Sequence, residues 1–282
     1  MSDGVTAVDE SIAASLGSEV RAASPVGGGC IHQARRLDLA DGRRIFVKSG
    51  AAQAAAMLDA EAQGLELLAP HIHVPQLLAR GTMEGVRWLA MEWLDLRPLD
   101  DARTWENFGR ALAGLHRVTR PTFGLDHENF IGATPQENAP LRSWSEFFIE
   151  RRLKLQLRLA RQHHLPEREI LAIAERLLAD HHPLPSLLHG DLWTGNAAAL
   201  PDGTGLVFDP APYFGDAETD LAMLQLFGGA LPAAFSRGYD WLNGTPDRRR
   251  RRLYDLYHAL NHLNLFGTGY LSMVRRCLEE VS

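Results

Sequence analysis

The segment His189-Gly190-Asp191-Leu192-Trp193-Thr194-Gly195-Asn196 concentrates groups able to do chemistry, and Asp209 follows Asn196 by thirteen residues. One carboxylate lies just past an apolar run at 187–189, and a carboxamide stands five residues further on. A second carboxylate closes the next apolar run, 205–209, with the turn pair Asp202-Gly203 between the two runs. The spacing predicts two strands of one hairpin that gather Asp191, Asn196 and Asp209 around a common point. Such a set suits phosphoryl transfer: Asp191 meets a substrate hydroxyl as general base, while Asn196 and Asp209 give oxygens to Mg²⁺.

Phosphoryl transfer also needs a cation on the phosphates, and the composition points to one. Of 29 basic residues only Lys48 and Lys154 are lysine. Lys48 ends the apolar run 45–47, where a strand would present its compact ammonium to the α- and β-phosphates of ATP. Glu61, on a helix expected over 51–68, can hold Lys48 in place, with Glu66 as the competing partner. Upstream, Gly27-Gly28-Gly29 joins two predicted strands, so its backbone amides can lie over phosphates or simply make a turn. Met91-Glu92-Trp93-Leu94 ends the last strand of this region, where backbone groups can bind adenine or merely enter a linker.

The elements that must position these groups read as two regions. Residues 20–26, 34–39 and 43–48 are strand-like, with Asp41-Gly42 as a hairpin turn. A second hairpin turns at Glu84-Gly85 into strand 86–93. The connector 94–101 contains Pro98, and the boundary falls there, giving a β-rich lobe at 1–94 and a helical lobe at 95–282. In the latter, Ser143 to Glu146 reads as a capping box opening a long helix to about residue 162. Another helix starts at Pro166 and runs to about 179, with more around 220–227 and 253–266. The expected class is α+β, two-lobed.

These residues together resemble the fructosamine kinase (ketosamine 3-kinase) family. That family lies within the protein-kinase-like fold shared with aminoglycoside phosphotransferases and choline kinases. His189 to Asn196 and Asp209 match the whole superfamily, whose catalytic loop has an Asp, four residues, then Asn. Trp193, the Gly27-Gly28-Gly29-Cys30-Ile31 loop, Phe208-Asp209-Pro210-Ala211, Tyr213-Phe214-Gly215-Asp216 and the stretch from Leu256 to Gly267 narrow it to the family. His32, after the loop, departs from the Asn or Ser-like residue of many relatives. The resemblance implies ATP-dependent phosphorylation of the C3 hydroxyl of a ketosamine, the rearranged adduct of a sugar with an amine. The unstable 3-phosphate then frees the amine, a deglycation repair activity. The implied substrates are ribulosamine, erythrulosamine or fructosamine adducts on protein lysines, or free ketosamines. An aminoglycoside, choline-like or sugar kinase of the same fold, and a silent ATP-binding regulator, are the alternatives. Retention of Lys48, Asp191, Asn196 and Asp209 argues against silence.

Other residues admit two readings. Trp193 stacks on a sugar or packs between lobes. Asp220 braces the catalytic loop through backbone amides in preference to touching substrate. His258, Asn261 and His262 share one side of a helix and face either a substrate cleft or the core. Cys30 is either a redox-sensitive thiol or a small loop residue. The histidine pairs at 163–164 and 181–182 read as solvated loops, and Arg248 to Arg252 as a solvated helix face.

The bulk composition limits the alternatives. With 45% hydrophobic and 23% charged residues the chain is globular, and a net charge of −6 disfavours nucleic acid. Two cysteines exclude a disulfide scaffold. No apolar run reaches the roughly 20 residues of a membrane helix. The acidic start MSDGVTAVDE is unlike a signal peptide, so the expected location is cytoplasmic.

Overall fold

A computed structural model describes residues 4–27, 32–51, 54–240 and 247–281. Gly28, Gly29 and Cys30 lie outside the described residues. Helix α1 (Ala7–Ser15) precedes strands β1 (Val20–Pro25), β2 (Gln33–Leu39) and β3 (Arg44–Gly50). Helix α2 (Ala55–Leu68) leads to β4 (Leu77–Met83) and β5 (Val86–Glu92), completing an antiparallel sheet of five strands in the order β1-β2-β3-β5-β4. Both expected hairpins form for local reasons. Asp41 accepts the Arg43 amide at 3.0 Å across the first turn. Glu84 and Gly85 both adopt positive φ, 50° and 78°, the conformation a two-residue turn between twisted strands requires.

Alternation along β3 sorts its side chains. Ile45 and Val47 are buried with Ile12 and Ala13 of α1 and with Leu37, Trp88 and Ala90, in a core on one face of the sheet. Phe46 and Lys48 therefore point to the other face, toward α2. That helix buries Leu58, Ala62, Leu65 and Leu68, one stripe at helical spacing. It begins at residue 55, later than the composition of 51–68 suggests; residues 52–53 are not described.

The remainder is mainly helical. Helix α3 (Ala102–His116) is capped by Asp101, which accepts the Thr104 amide at 2.9 Å. After a small hairpin, β6 (Asn129–Ile131) and β7 (Thr134–Gln136), come α4 (Trp144–Phe148), α5 (Lys154–Leu159) and α6 (Glu167–Leu178). Ser143 caps α4 as expected, but the helical run is not uniform: a π-helical turn, Ile149–Leu153, separates α4 from α5. Lys154 pairs on the surface with Glu150 at 2.6 Å, which leaves Lys48 as the lysine of chemical interest.

Four three-residue strands follow: β8 (Ser186–Leu188), β9 (Ala197–Ala199), β10 (Gly205–Val207) and β11 (Tyr213–Gly215). Helices α7 (Glu218–Leu226), α8 (Ala233–Gly238), α9 (Arg248–Phe266) and α10 (Leu271–Val281) end the chain. The expected single hairpin of 187–189 with 205–209 is corrected. β9 pairs with β10, and β8 pairs with β11, so the two carboxylate-bearing segments belong to different ribbons laid side by side. The main core runs without a break from Leu58 in α2 and Met91 in β5 to Leu263 in α9 and Val281 in α10. Arg248 to Arg252 is not a plain solvated face: Arg250 grips Glu218 through two bonds of 2.7 Å, and Arg251 and Arg252 bond Gln225 and Asp255.

Candidate active site

The loop after β8 is held by backbone amides. His189 N and Gly190 N donate to the two carboxylate oxygens of Asp220, in α7, at 2.7 and 2.9 Å. The brace read for Asp220 is thus what its contacts describe. Burial alone would raise the Asp220 carboxyl, but His116, His189 and the Gly190 amide outweigh it and hold it below the usual range. His116 stands between α7 and α8, with Nε2 3.2 Å from Asp220 and Nδ1 2.7 Å from the Tyr239 hydroxyl. The sequence gives no signal for His116, whose partners are more than a hundred residues away. Gly190 has φ +84°, and a Cβ there would overlap the Ala211 carbonyl oxygen, so a glycine is required.

His189 is fully buried, and burial lowers its pKa, leaving it neutral. Its Nε2 lies 3.0 Å from the Phe208 carbonyl, which only accepts, so Nε2 carries the proton and Nδ1 accepts the Asp191 amide at 3.3 Å. One imidazole thereby ties the loop after β8 to the end of β10. Asn196, at the entry to β9, donates its Nδ2 to the Asp191 carbonyl at 2.9 Å and to Asp191 Oδ2 at 3.4 Å. Asp209 follows β10 with φ +56°, a strained conformation for a residue with a side chain and one met at functional sites.

Lys48 reaches across the cleft to Asp209 and bonds Glu61 at 2.8 Å. Glu66 instead faces Arg80 at 3.5 Å on the surface, which resolves the competition in favour of Glu61. Burial works to lower the Lys48 pKa, but Glu61 and Asp209 outweigh it, so the ammonium stays charged. Asp191 is pushed up to about 7 by burial, then by the charges of Asp209 and Asp220. A carboxylate near neutrality is suited to taking a proton from an alcohol.

Above these groups opens a cavity of about 720 Å³ lined by Gly27, Met91, Glu92, Trp93 and Leu94 as well as Lys48, Asn196 and Asp209. Phe46 also lines it, a residue that period-two alternation with Lys48 could have indicated. Trp93 is fixed at its rim by Asp95, which accepts the indole N–H at 3.0 Å, and by Arg36 and Arg44 over its ring at 5.4 and 6.0 Å. A smaller recess of about 210 Å³ continues from it past Lys48 and Asp209 to Asp191, Trp193 and His32. The residues present suit Mg²⁺: Asp209 offers a carboxylate, and Asn196, its amide hydrogens engaged by Asp191, presents Oδ1 as a second hard oxygen.

Two expected substrate residues are elsewhere. His258 and Asn261 are buried within α9, and Asn261 accepts from Gln156 at 3.0 Å, so neither lines the cleft. Helix α9 is packed on several sides, and spacing along such a helix does not reveal which side meets a cleft. His262 is partly buried among the rings of Phe227, Phe266 and Tyr270. Trp193 lines both cavities. His181 is likewise not a solvated loop residue: its Nε2 bonds Asp216 at 2.6 Å. With Glu218 this pair forms a group of ligand-type atoms within 4.8 Å. Tyr254 also donates to Asp216, and Arg250 occupies Glu218, so the group is a structural network.

Comparison with known proteins bears on this arrangement. Residues 5–282 match the model of the fructosamine kinase family. The chain is 43% identical over 265 residues to a probable ketoamine kinase of Synechocystis, covering 90% of this chain and 88% of that one. A Thermobifida fusca crystal structure, provisionally assigned as a fructosamine-3-kinase, superposes with a TM-score of 0.82 at 33% identity over 99% of both chains. The choline kinase LicA of Streptococcus pneumoniae shares the protein-kinase-like fold, with a TM-score of 0.67 at 17% identity over 97% of each chain. Among the described residues no helix is long and apolar enough to cross a membrane.

Proposed function

Because the chain belongs to the fructosamine kinase family and is a phosphotransferase with a hydroxyl acceptor, we propose that it transfers the γ-phosphoryl group of ATP to the C3 hydroxyl of a ketosamine. The observation that carries the reading is the convergence of Lys48, Asp191, Asn196 and Asp209 at the floor of a cavity of about 720 Å³ and its recess. In this reading the adenine lies against the 91–94 strand end, and Lys48, steadied by Glu61, holds the phosphates. Asn196 and Asp209 would hold Mg²⁺, which when bound neutralises charge building on the phosphates. Asp191 accepts the proton of the C3 hydroxyl as its oxygen attacks the γ-phosphorus and the bond to the β-phosphate bridging oxygen breaks. Asn196 keeps the Asp191 carboxylate aimed, so most of the rate comes from positioning.

The acceptors in this reading are ribulosamine, erythrulosamine or fructosamine adducts of lysines, free or on glycated proteins. The enzyme then acts in the cytoplasm as a deglycation kinase. The test is product identity. With ATP, Mg²⁺ and a ribulose–lysine adduct, ³¹P NMR should show a phosphate ester on C3 that decays with release of free lysine. Phosphate on another hydroxyl, with lysine retained, would remove the C3 assignment.

A further inference from the structure

Trp193 is the inner end of a row of aromatic rings that leaves the cleft. Its ring meets Phe227, just past α7, at 6.1 Å and edge-on. Phe227 meets His262 of α9 at 4.8 Å. His262 in turn meets Phe266 at 5.5 Å and Tyr270 at 5.1 Å. Trp193, Phe227 and Phe266 are 38%, 36% and 50% exposed, three of the seven large hydrophobic side chains so exposed among the described residues. Isolated exposed rings are ordinary, whereas a contiguous row is the signature of a binding surface.

The row is also built in. Thr194 packs against Gly228, seating the end of α7 on the catalytic loop, and a Cβ at Gly195 would run into the Trp193 ring. The Trp193 ring therefore stands at a set place between the recess that holds Asp191 and the outer rings. Burial keeps the His262 imidazole neutral at physiological pH, and its Nδ1 is 2.9 Å from the His258 carbonyl. No histidine charge opposes a cation there.

Resting on the ketosamine reading above, we propose that Trp193, Phe227, His262, Phe266 and Tyr270 form an acceptor subsite for the amine-bearing half of the substrate, beyond the sugar being phosphorylated. A ketosamine carries a protonated secondary amine next to the sugar carbons, and aromatic faces attract such a cation. The row is longer than one sugar ring, so its outer members, Phe227, Phe266 and Tyr270, meet the carbon chain attached to that nitrogen. Selectivity among acceptors sharing one sugar is then set by the carrier amine.

The test compares ribulose adducts of methylamine, lysine and benzylamine as acceptors, reading kcat/KM for each. Wild type should favour the lysine and benzylamine adducts over the methylamine adduct. In Phe227→Ala and Phe266→Ala that ratio should fall about five- to tenfold, the size of one lost aromatic contact. Both side chains are exposed, and thermal unfolding checks that the variants remain folded. Equal rates on all adducts, or a ratio unchanged in the variants, would overturn the subsite while leaving the ketosamine reading intact. An unchanged ratio together with loss of a wild-type dimer would make the row a self-association face instead. Turnover of none of the adducts would overturn both readings.

Discussion

At the scale of the residue, the role proposed for Asp191 and its effect on stability pull in opposite directions. Its carboxyl is pushed up to about 7 in the folded chain by burial and by Asp209 and Asp220, against about 4 in an unfolded one. The folded state thus binds more protons across that interval, and stability falls as pH rises from about 4 to 7. Asp191→Asn removes the ionised group, so at pH 8, with EDTA and no nucleotide, it should raise the melting temperature by a few degrees, about 1–2 kcal/mol. At pH 4 the gain should vanish. An equal shift at both pH values would mean the effect is not one of charge. The convergence of Lys48, Glu61, Asp191, Asn196 and Asp209 on one recess was legible in the sequence from their spacing. For His258 and Asn261 the sequence leaves cleft and core both open, because α9 is packed on several sides and helical period alone does not choose among them; their burial selects the core. His116 was not legible, since its partners Asp220 and Tyr239 are distant in the chain.

At the scale of the element, what holds the site is the pairing of very short strands. Turns such as Asp41-Gly42 and Glu84-Gly85 could be read directly, because the local residues dictate them. The β8–β11 and β9–β10 ribbons could not, because three-residue strands carry too little pattern to name a partner. The π-helical turn after α4 was equally hidden, lying inside an unbroken helix-forming run. The close approach of the β8 loop to the segment before β11 makes Gly190 the most exacting position. Gly190→Ala would force a positive φ on a side chain and push Ala211 away. We expect about 2 kcal/mol or more of destabilisation and, in the folded fraction, a loss of kcat well over tenfold with little change in KM for ATP. Wild-type kcat in a destabilised variant would show that the loop geometry does not support catalysis.

At the scale of the whole molecule, a β-rich region supplies Lys48 and the 91–94 strand end, while a helical region supplies Asp191, Asn196 and Asp209. The core that joins them passes from α2 through the Pro210–Pro212 segment, against which Gly64 packs, to α9. The order of regions was legible from composition and turn signals. The continuity of the core was not, because it depends on which helix faces meet. The central claim is that these groups converge to phosphorylate a ketosamine with Asp191 as base. It is tested most directly by Mg²⁺-dependent ATP consumption with a ribulose–lysine adduct, beside kanamycin and choline, for wild type and Asp191→Asn. The account predicts turnover on the ketosamine alone, reduced about 10²-fold or more in the variant. Turnover on kanamycin or choline instead, or near-wild-type turnover by Asp191→Asn, would contradict it.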